Sequence, residues 1–169
     1  MTETSPASWN GRVVVVTGGS RGIGYGVASR FAERGAHVML TSRKAEAVAE
    51  AARSLPGDVV GVVAHVADEA AAARSCLATA LARWGRVDVL VNNVGVNPHF
   101  GATLDVDRAR WDKILEVNLW APLMWARLEV EAGLGRQRSG DGGWAGACPR
   151  TSRSHPAVRP GCRAPARPR

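Results

Sequence analysis

Four consecutive valines, Val13–Val16, run directly into Thr17-Gly18-Gly19-Ser20-Arg21-Gly22-Ile23-Gly24, and an amphipathic stretch with Val27, Phe31 and Ala32 follows. A β-branched run, a glycine-rich turn and a 3.6-residue apolar period read as strand, turn and helix. The alternation then continues. Gly35 closes the helix, Ala36 to Thr41 reads as a second strand, and a helix from Lys44 to Ser54 stops at Pro56-Gly57. Val59 to Ala64 is a third strand, Asp68 is expected to cap an Ala-rich helix reaching Trp84, and Val87 to Val91 is a fourth strand. Near-continuously apolar strands joined by helices predict an α/β fold: a parallel sheet covered on both faces, wound by right-handed crossovers.

Beyond Asn92-Asn93-Val94-Gly95 a loop extends to about Asp107, followed by a helical pattern carrying Trp111, Ile114, Leu115, Leu119 and Leu123. Pro122 falls inside that pattern and is expected to interrupt it, because proline has no N–H and its ring crowds the preceding turn. No fifth strand is legible after Ala132.

Charge divides the chain at the same point. Residues 1–132 hold 14 basic and 14 acidic side chains, whereas 133–169 hold eight arginines and one acid, Asp141, which is the whole formal charge of +7. The second segment also takes 7 of the 19 glycines and 5 of the 9 prolines, with Leu134, Trp144 and Val158 its only large apolar residues. It is expected to be a disordered basic tail, since it cannot bury enough surface to offset its ordering entropy. Residues 1–10 are expected to be a flexible N-terminus. That stretch has no apolar core of a secretory signal, and no run approaches the ~20 apolar residues of a membrane span, so the cytoplasm is the default compartment. Cys76, Cys148 and Cys162 show no metal-ligand spacing, and Cys76, among helix formers, reads as a small buried hydrophobe.

The glycine turn carries the first chemistry. Placed after the first strand and at the head of a helix, it has the context of a dinucleotide fingerprint. Gly18 would permit the tight turn, Gly22 would let backbone approach a pyrophosphate, and Gly24 would allow close helix packing, with the helix N-terminus facing the phosphates. The second strand ends Thr41-Ser42-Arg43-Lys44. An acid there would accept hydrogen bonds from the ribose 2′-hydroxyl of NAD; Ser42 and Arg43 occupy its place, and with Arg21 they favour the 2′-phosphate of NADP(H) over NAD(H).

Taken in order, Thr17-Gly-x-x-x-Gly-x-Gly24, Asn92-Asn93-x-Gly95 and Val117-Asn118 resemble the short-chain dehydrogenase/reductase family, over Gly11 to about Ala132. Gly95-Val-Asn-Pro-His-Phe-Gly101 further resembles its NADP-dependent carbonyl reductase branch and, more distantly, the 3-oxoacyl-carrier-protein reductases. The resemblance implies a Rossmann-type fold, usually homo-oligomeric, that reduces carbonyls or oxidises alcohols. It implies that Thr17, Gly18, Ser20, Arg21, Gly22, Ile23 and Gly24 hold the cofactor, and that Asn92, Asn93, Val94 and Gly95 line its nicotinamide side. Val94 stands where the family commonly has alanine. His65-Val66 stands where many members have Asp-Val beside the adenine, so His65 would contact that ring with altered hydrogen bonding. Asn118 matches the asparagine that helps hold a proton-relay water.

The family's catalytic Tyr-x-x-x-Lys has no counterpart in the 169 residues, whose one tyrosine is Tyr25 and whose two lysines are Lys44 and Lys113. Ser139, Ser152 and Ser154 lack a strand to present a catalytic serine. The expectation is an α/β Rossmann half-domain of strand order 3-2-1-4, catalytically incomplete, with the fourth strand left as an apolar edge and poor solubility as its consequence. The shift to Arg, Gly, Pro and Ser after Ala132 is what a truncated or out-of-frame read of GC-rich coding sequence yields; a basic arm that binds nucleic acid is the alternative.

Overall fold

The computed structural model describes residues 8–66 and 69–132. Strands β1 (Val13–Val16), β2 (His37–Ser42), β3 (Val59–Val63) and β4 (Val89–Val91) alternate with helices α1 (Gly22–Ala32), α2 (Ala45–Ser54) and α3 (Glu69–Trp84). They form one parallel sheet in the order β3-β2-β1-β4, as the sequence predicts. In register, Val15 pairs with Met39 on one side and Leu90 on the other.

The valine run is fully buried because β1 is an inner strand and both faces of the sheet are covered. Val13 and Val15 join Met39 beneath α3, where Ala73, Cys76, Leu77 and Ala80 pack on them. Val14 and Val16 join Val38 and Leu40 beneath α1 and α2, through Ala28, Ala32, Val48 and Ala51. Burying each valine contributes roughly 1.5–2 kcal/mol, enough to make this strand the organising element. Cys76 is buried and free, and burial pushes its thiol up to about 11, so it behaves as packing rather than as a nucleophile.

At the strand starts, two aspartates tie chain segments together. Asp88 accepts from the Val13 N–H at 2.8 Å and from Arg12 and Arg86, joining β1 to β4. Burial alone would raise its pKa, but these donors outweigh it and hold the carboxyl below its usual range. Asp58 accepts from Arg83 and, at 2.6 Å, from the Trp84 indole N–H, with His37 Nδ1 at 3.2 Å.

After β4 come a 3₁₀ turn (Thr103–Asp105), α4 (Arg108–Leu115), a π-helical turn (Glu116–Trp120) and α5 (Ala121–Ala132). Asp107 caps α4 by accepting the Arg110 N–H at 2.8 Å. The break expected at Pro122 takes the form of this π turn, which lies just before the proline. Pro122 has no N–H for the Asn118 carbonyl four residues back, and widening the preceding turn absorbs the mismatch without ending the helix. α5 adds Trp125 and Leu128 to the core beneath α3.

The N-terminal segment and the sheet edge complete the description. The segment expected to be flexible over 1–10 is tied down at its end: the Trp9 N–H donates to the Arg34 carbonyl at 3.2 Å, and its ring meets Phe31 edge-on at 4.8 Å. Among the described residues β4 pairs with β1 alone, with Val89, Leu90 and Val91 half-buried. The Asp68 cap, Cys148, Cys162, the tail serines and the whole expected disordered tail over 133–169 lie outside the described residues.

Candidate nucleotide-binding site

The groove forms at the carboxyl ends of the strands, where the glycine turn leaves β1. Gly18 has a left-handed φ of +66°, and a Cβ there would stand 2.7 Å from Val94 Cγ2. At Gly24 a Cβ would stand 2.5 Å from both Asn93 Nδ2 and the Gly18 carbonyl oxygen, so only glycine lets α1 begin this close to β4. Gly22, with φ +58°, faces open space with nothing within 4 Å. The N-terminus of α1 has no side-chain cap, which leaves its first N–H groups free for an anion.

Asn93 fixes this turn. Its side-chain N–H groups donate to the Thr17 and Gly18 carbonyls at 3.1 and 3.2 Å, while its backbone N–H donates to Thr17 Oγ1 at 3.0 Å. Thr17 Oγ1 in turn donates to the Val91 carbonyl at 3.2 Å. The glycine turn is therefore stapled to the end of β4, a long-range constraint made by one amide and one hydroxyl.

A cavity of about 510 Å³ runs along this edge, within the usual range for small-ligand sites. Gly18, Ser20, Arg21 and Gly22 line one bank with Ser42 and Arg43 from the end of β2; His65 and Val66 lie beyond β3, and Asn93, Val94 and Gly95 follow β4. Ser20 donates to Ser42 at 3.0 Å, tying together the two segments that carry the arginines. Among the described residues neither arginine has a hydrogen bond or ion pair with another side chain.

Four residues expected in the site stand elsewhere. Thr17 and Gly24 lie behind the groove as its support. Ile23 points outward at 81% exposure, into a shallow depression along α1 with Val27 and Phe31. Asn92 turns toward the far helix and donates to the Pro122 carbonyl at 3.3 Å. Asn118 reaches the groove through a neighbour, since its carboxamide accepts from the Val96 N–H at 2.8 Å and donates to the Val96 carbonyl at 2.9 Å. Sequence reading missed Thr41, Ala64, Val96, Lys113 and Val117 as lining residues. Lys113 and Val117 are four residues apart and share a helix face, a spacing that no short motif marks.

The donor set fits a dinucleotide: a cradle that a Cβ would fill, an uncapped helix end, two arginines without acidic partners, and a buried Thr41 hydroxyl on the wall with no hydrogen-bond partner. No group of three or more His, Cys, Asp or Glu side chains among the described residues is placed to hold a metal ion. No helix among them is long and apolar enough to cross a membrane.

The sheet order and flanking helices define a Rossmann-type fold. A sequence profile of short chain dehydrogenases matches residues 12–141, and the chain belongs to that family of oxidoreductases. It is 39% identical over 133 residues to dehydrogenase/reductase SDR family member 4 of Homo sapiens, covering 77% of this chain and 47% of that protein. Against human dehydrogenase/reductase SDR family member 2, mitochondrial, identity is 45% over 116 residues, covering 67% and 41%. The chain thus spans about half the length of these relatives. Among solved structures, a metagenomic short-chain oxidoreductase in complex with NADP superposes with a TM-score of 0.68 at 36% identity, covering 75% of this chain and 58% of that one. A 3-ketoacyl-(acyl-carrier-protein) reductase from Brucella melitensis complexed with NADH gives 0.70 at 29%, covering 74% and 51%.

Proposed function

We propose that this groove binds NADP(H) in preference to NAD(H), in a unit of residues 11–132 descended from cytoplasmic reductases of the carbonyl reductase branch, and that the chain does not complete their reaction by itself. The observation that carries the preference is the end of β2: Ser42 and Arg43 line the groove where an NAD-selective site would offer a carboxylate, and Arg21 lines it from the glycine turn. Arg21 and Arg43, each next in sequence to one member of the hydrogen-bonded Ser20–Ser42 pair and both lining the cavity, suit a dianionic 2′-phosphate.

A nicotinamide dinucleotide, when bound, supplies the hydride exchanged with a carbonyl or alcohol. The chain's own groups do the holding. The free N–H groups at the start of α1 would take the diphosphate, Arg21 and Arg43 the 2′-phosphate, and Val66 would lie against the adenine with His65 at its edge. Asn93, Val94 and Gly95 would wall the nicotinamide side, with Asn118 setting the loop that follows them. Proton transfer is the missing part: the Tyr25 hydroxyl is bonded to Ser54 at 2.9 Å between α1 and α2, and no lysine lies one turn from it. Loss of a positioned general acid typically lowers rates 10²- to 10⁴-fold.

Fluorescence titration with NADPH and NADH tests the preference, and NADPH oxidation with a panel of aldehydes and ketones tests the chemistry. Tighter NADPH binding without turnover is expected. Robust turnover abolished by Asn118→Ala would contradict the incomplete reaction.

A further inference from the structure

The groove's charge is one-sided in a way that overall composition does not explain. Residues 1–132 balance 14 basic against 14 acidic groups, yet among the described residues the cavity lining contains Arg21, Arg43 and Lys113 and no aspartate or glutamate. Arg21 and Arg43 stand on the bank built by the glycine turn and β2. Lys113 comes from α4, on the bank built by α4 and the π turn, one helical turn before Val117, which also lines the cavity. It is one of only two lysines in the chain, and no motif of the sequence calls for it.

Its surroundings leave the ammonium available. Lys113 Nζ is paired with Glu116 Oε2 at 2.8 Å, three residues on, and both side chains are 45% exposed. An exposed pair of this spacing is a weak restraint, because water screens it and two long side chains must be ordered to form it. Lysine is a compact charge on a flexible four-carbon stem, suited to swing onto a ligand phosphate rather than to grip it from a fixed fork.

Resting on the reading of this groove as a dinucleotide site, we propose that Lys113 is a further nucleotide-binding residue, a movable cation that leaves Glu116 and closes the groove over the bound anion opposite Arg21 and Arg43. It adds general affinity for the charged nucleotide, whereas Arg43 selects for the 2′-phosphate. The chemistry requires the charge and not merely the stem.

Calorimetric titration of the full chain with NADP and with NAD tests this, comparing wild type with Lys113→Met, Lys113→Arg and Glu116→Gln, each first checked for native circular dichroism. Lys113→Met is expected to weaken both nucleotides by a similar factor of about five to ten and to flatten the dependence of affinity on salt. Lys113→Arg should retain most of the affinity, and Glu116→Gln should tighten binding two- to threefold by releasing the lysine. Binding of both nucleotides unchanged in Lys113→Met overturns the role of Lys113 while leaving the groove's assignment standing. Failure of the wild type to bind either nucleotide overturns the groove's assignment and this inference with it.

Discussion

The carboxamide of Asn118 holds both backbone groups of Val96, accepting its N–H at 2.8 Å and donating to its carbonyl at 2.9 Å. A residue in the π turn thereby sets the first step of the loop that leaves β4, directly after the Asn93-Val94-Gly95 wall of the groove. The same turn lies against Pro122, which cannot offer the Asn118 carbonyl its regular helical partner. Side chain and main chain of one asparagine are both drawn away from ordinary helix duty.

Asn118→Ala removes both bonds and leaves the Val96 groups to find water. A loss of about 1–2 kcal/mol in unfolding free energy is expected by urea denaturation, together with weaker nucleotide binding as the wall loosens. Asn118→Asp keeps the acceptor but opposes a carboxylate to the Val96 carbonyl, so it should fare no better than alanine. Unchanged stability in both variants would contradict the clamp.

Glu129 on α5 is fully buried, with neither carboxylate oxygen hydrogen-bonded. Burial pushes its pKa up to about 8, so the packed state holds the neutral acid. The folded pKa lies above the ordinary value of 4.5, so stability is full below about pH 4.5 and falls as the pH rises through 8. Glu129→Leu should remove that decline and raise stability at pH 8 by roughly 2–4 kcal/mol. Parallel stability–pH curves for wild type and variant between pH 5 and 9 would contradict it.

Asp58 gives the opposite sign. Hydrogen bonds from Arg83 and then Trp84, with the nearby charges of Arg83 and His37, hold its carboxyl below the ordinary value of 3.8. Its contribution is therefore present above that value and lost as the pH falls through the lowered one. Asp58→Asn should destabilise the fold at pH 7 by about 1 kcal/mol, a modest figure because Arg83 is half exposed, and should leave the difference smaller at pH 3. Thermal melts at the two pH values measure it.

Most of the fold was legible because its signals are local. A valine run, three glycines at fixed spacing and alternating apolar blocks specify strand, turn and helix without reference to distant residues, whereas the order 3-2-1-4 comes with the family resemblance, since crossover handedness alone fixes no strand order. The lining of the groove was only partly legible. Gly18, Arg21, Ser42 and Arg43 sit on segments that enter the site in sequence order, so their motifs mark them. Lys113 and Val117 arrive from a helix some 70 residues beyond β2, and helix rotation, which no short motif encodes, decides which side faces the groove. Ile23 and Asn92 show the converse: both belong to motifs, yet the turn of α1 sends one to solvent and the end of β4 sends the other to Pro122. Trp9 was missed because a polar N-terminus gave no reason to expect an anchor.

The central claim is that the 2′-phosphate is recognised by Arg43 together with Arg21, and calorimetric titration of NADP and NAD into the wild type and Arg43→Ala tests it most directly. The account predicts that NADP binds the wild type at least tenfold more tightly than NAD, and that Arg43→Ala removes most of this difference by weakening NADP alone. Equal affinities of the two nucleotides before and after the substitution would contradict it.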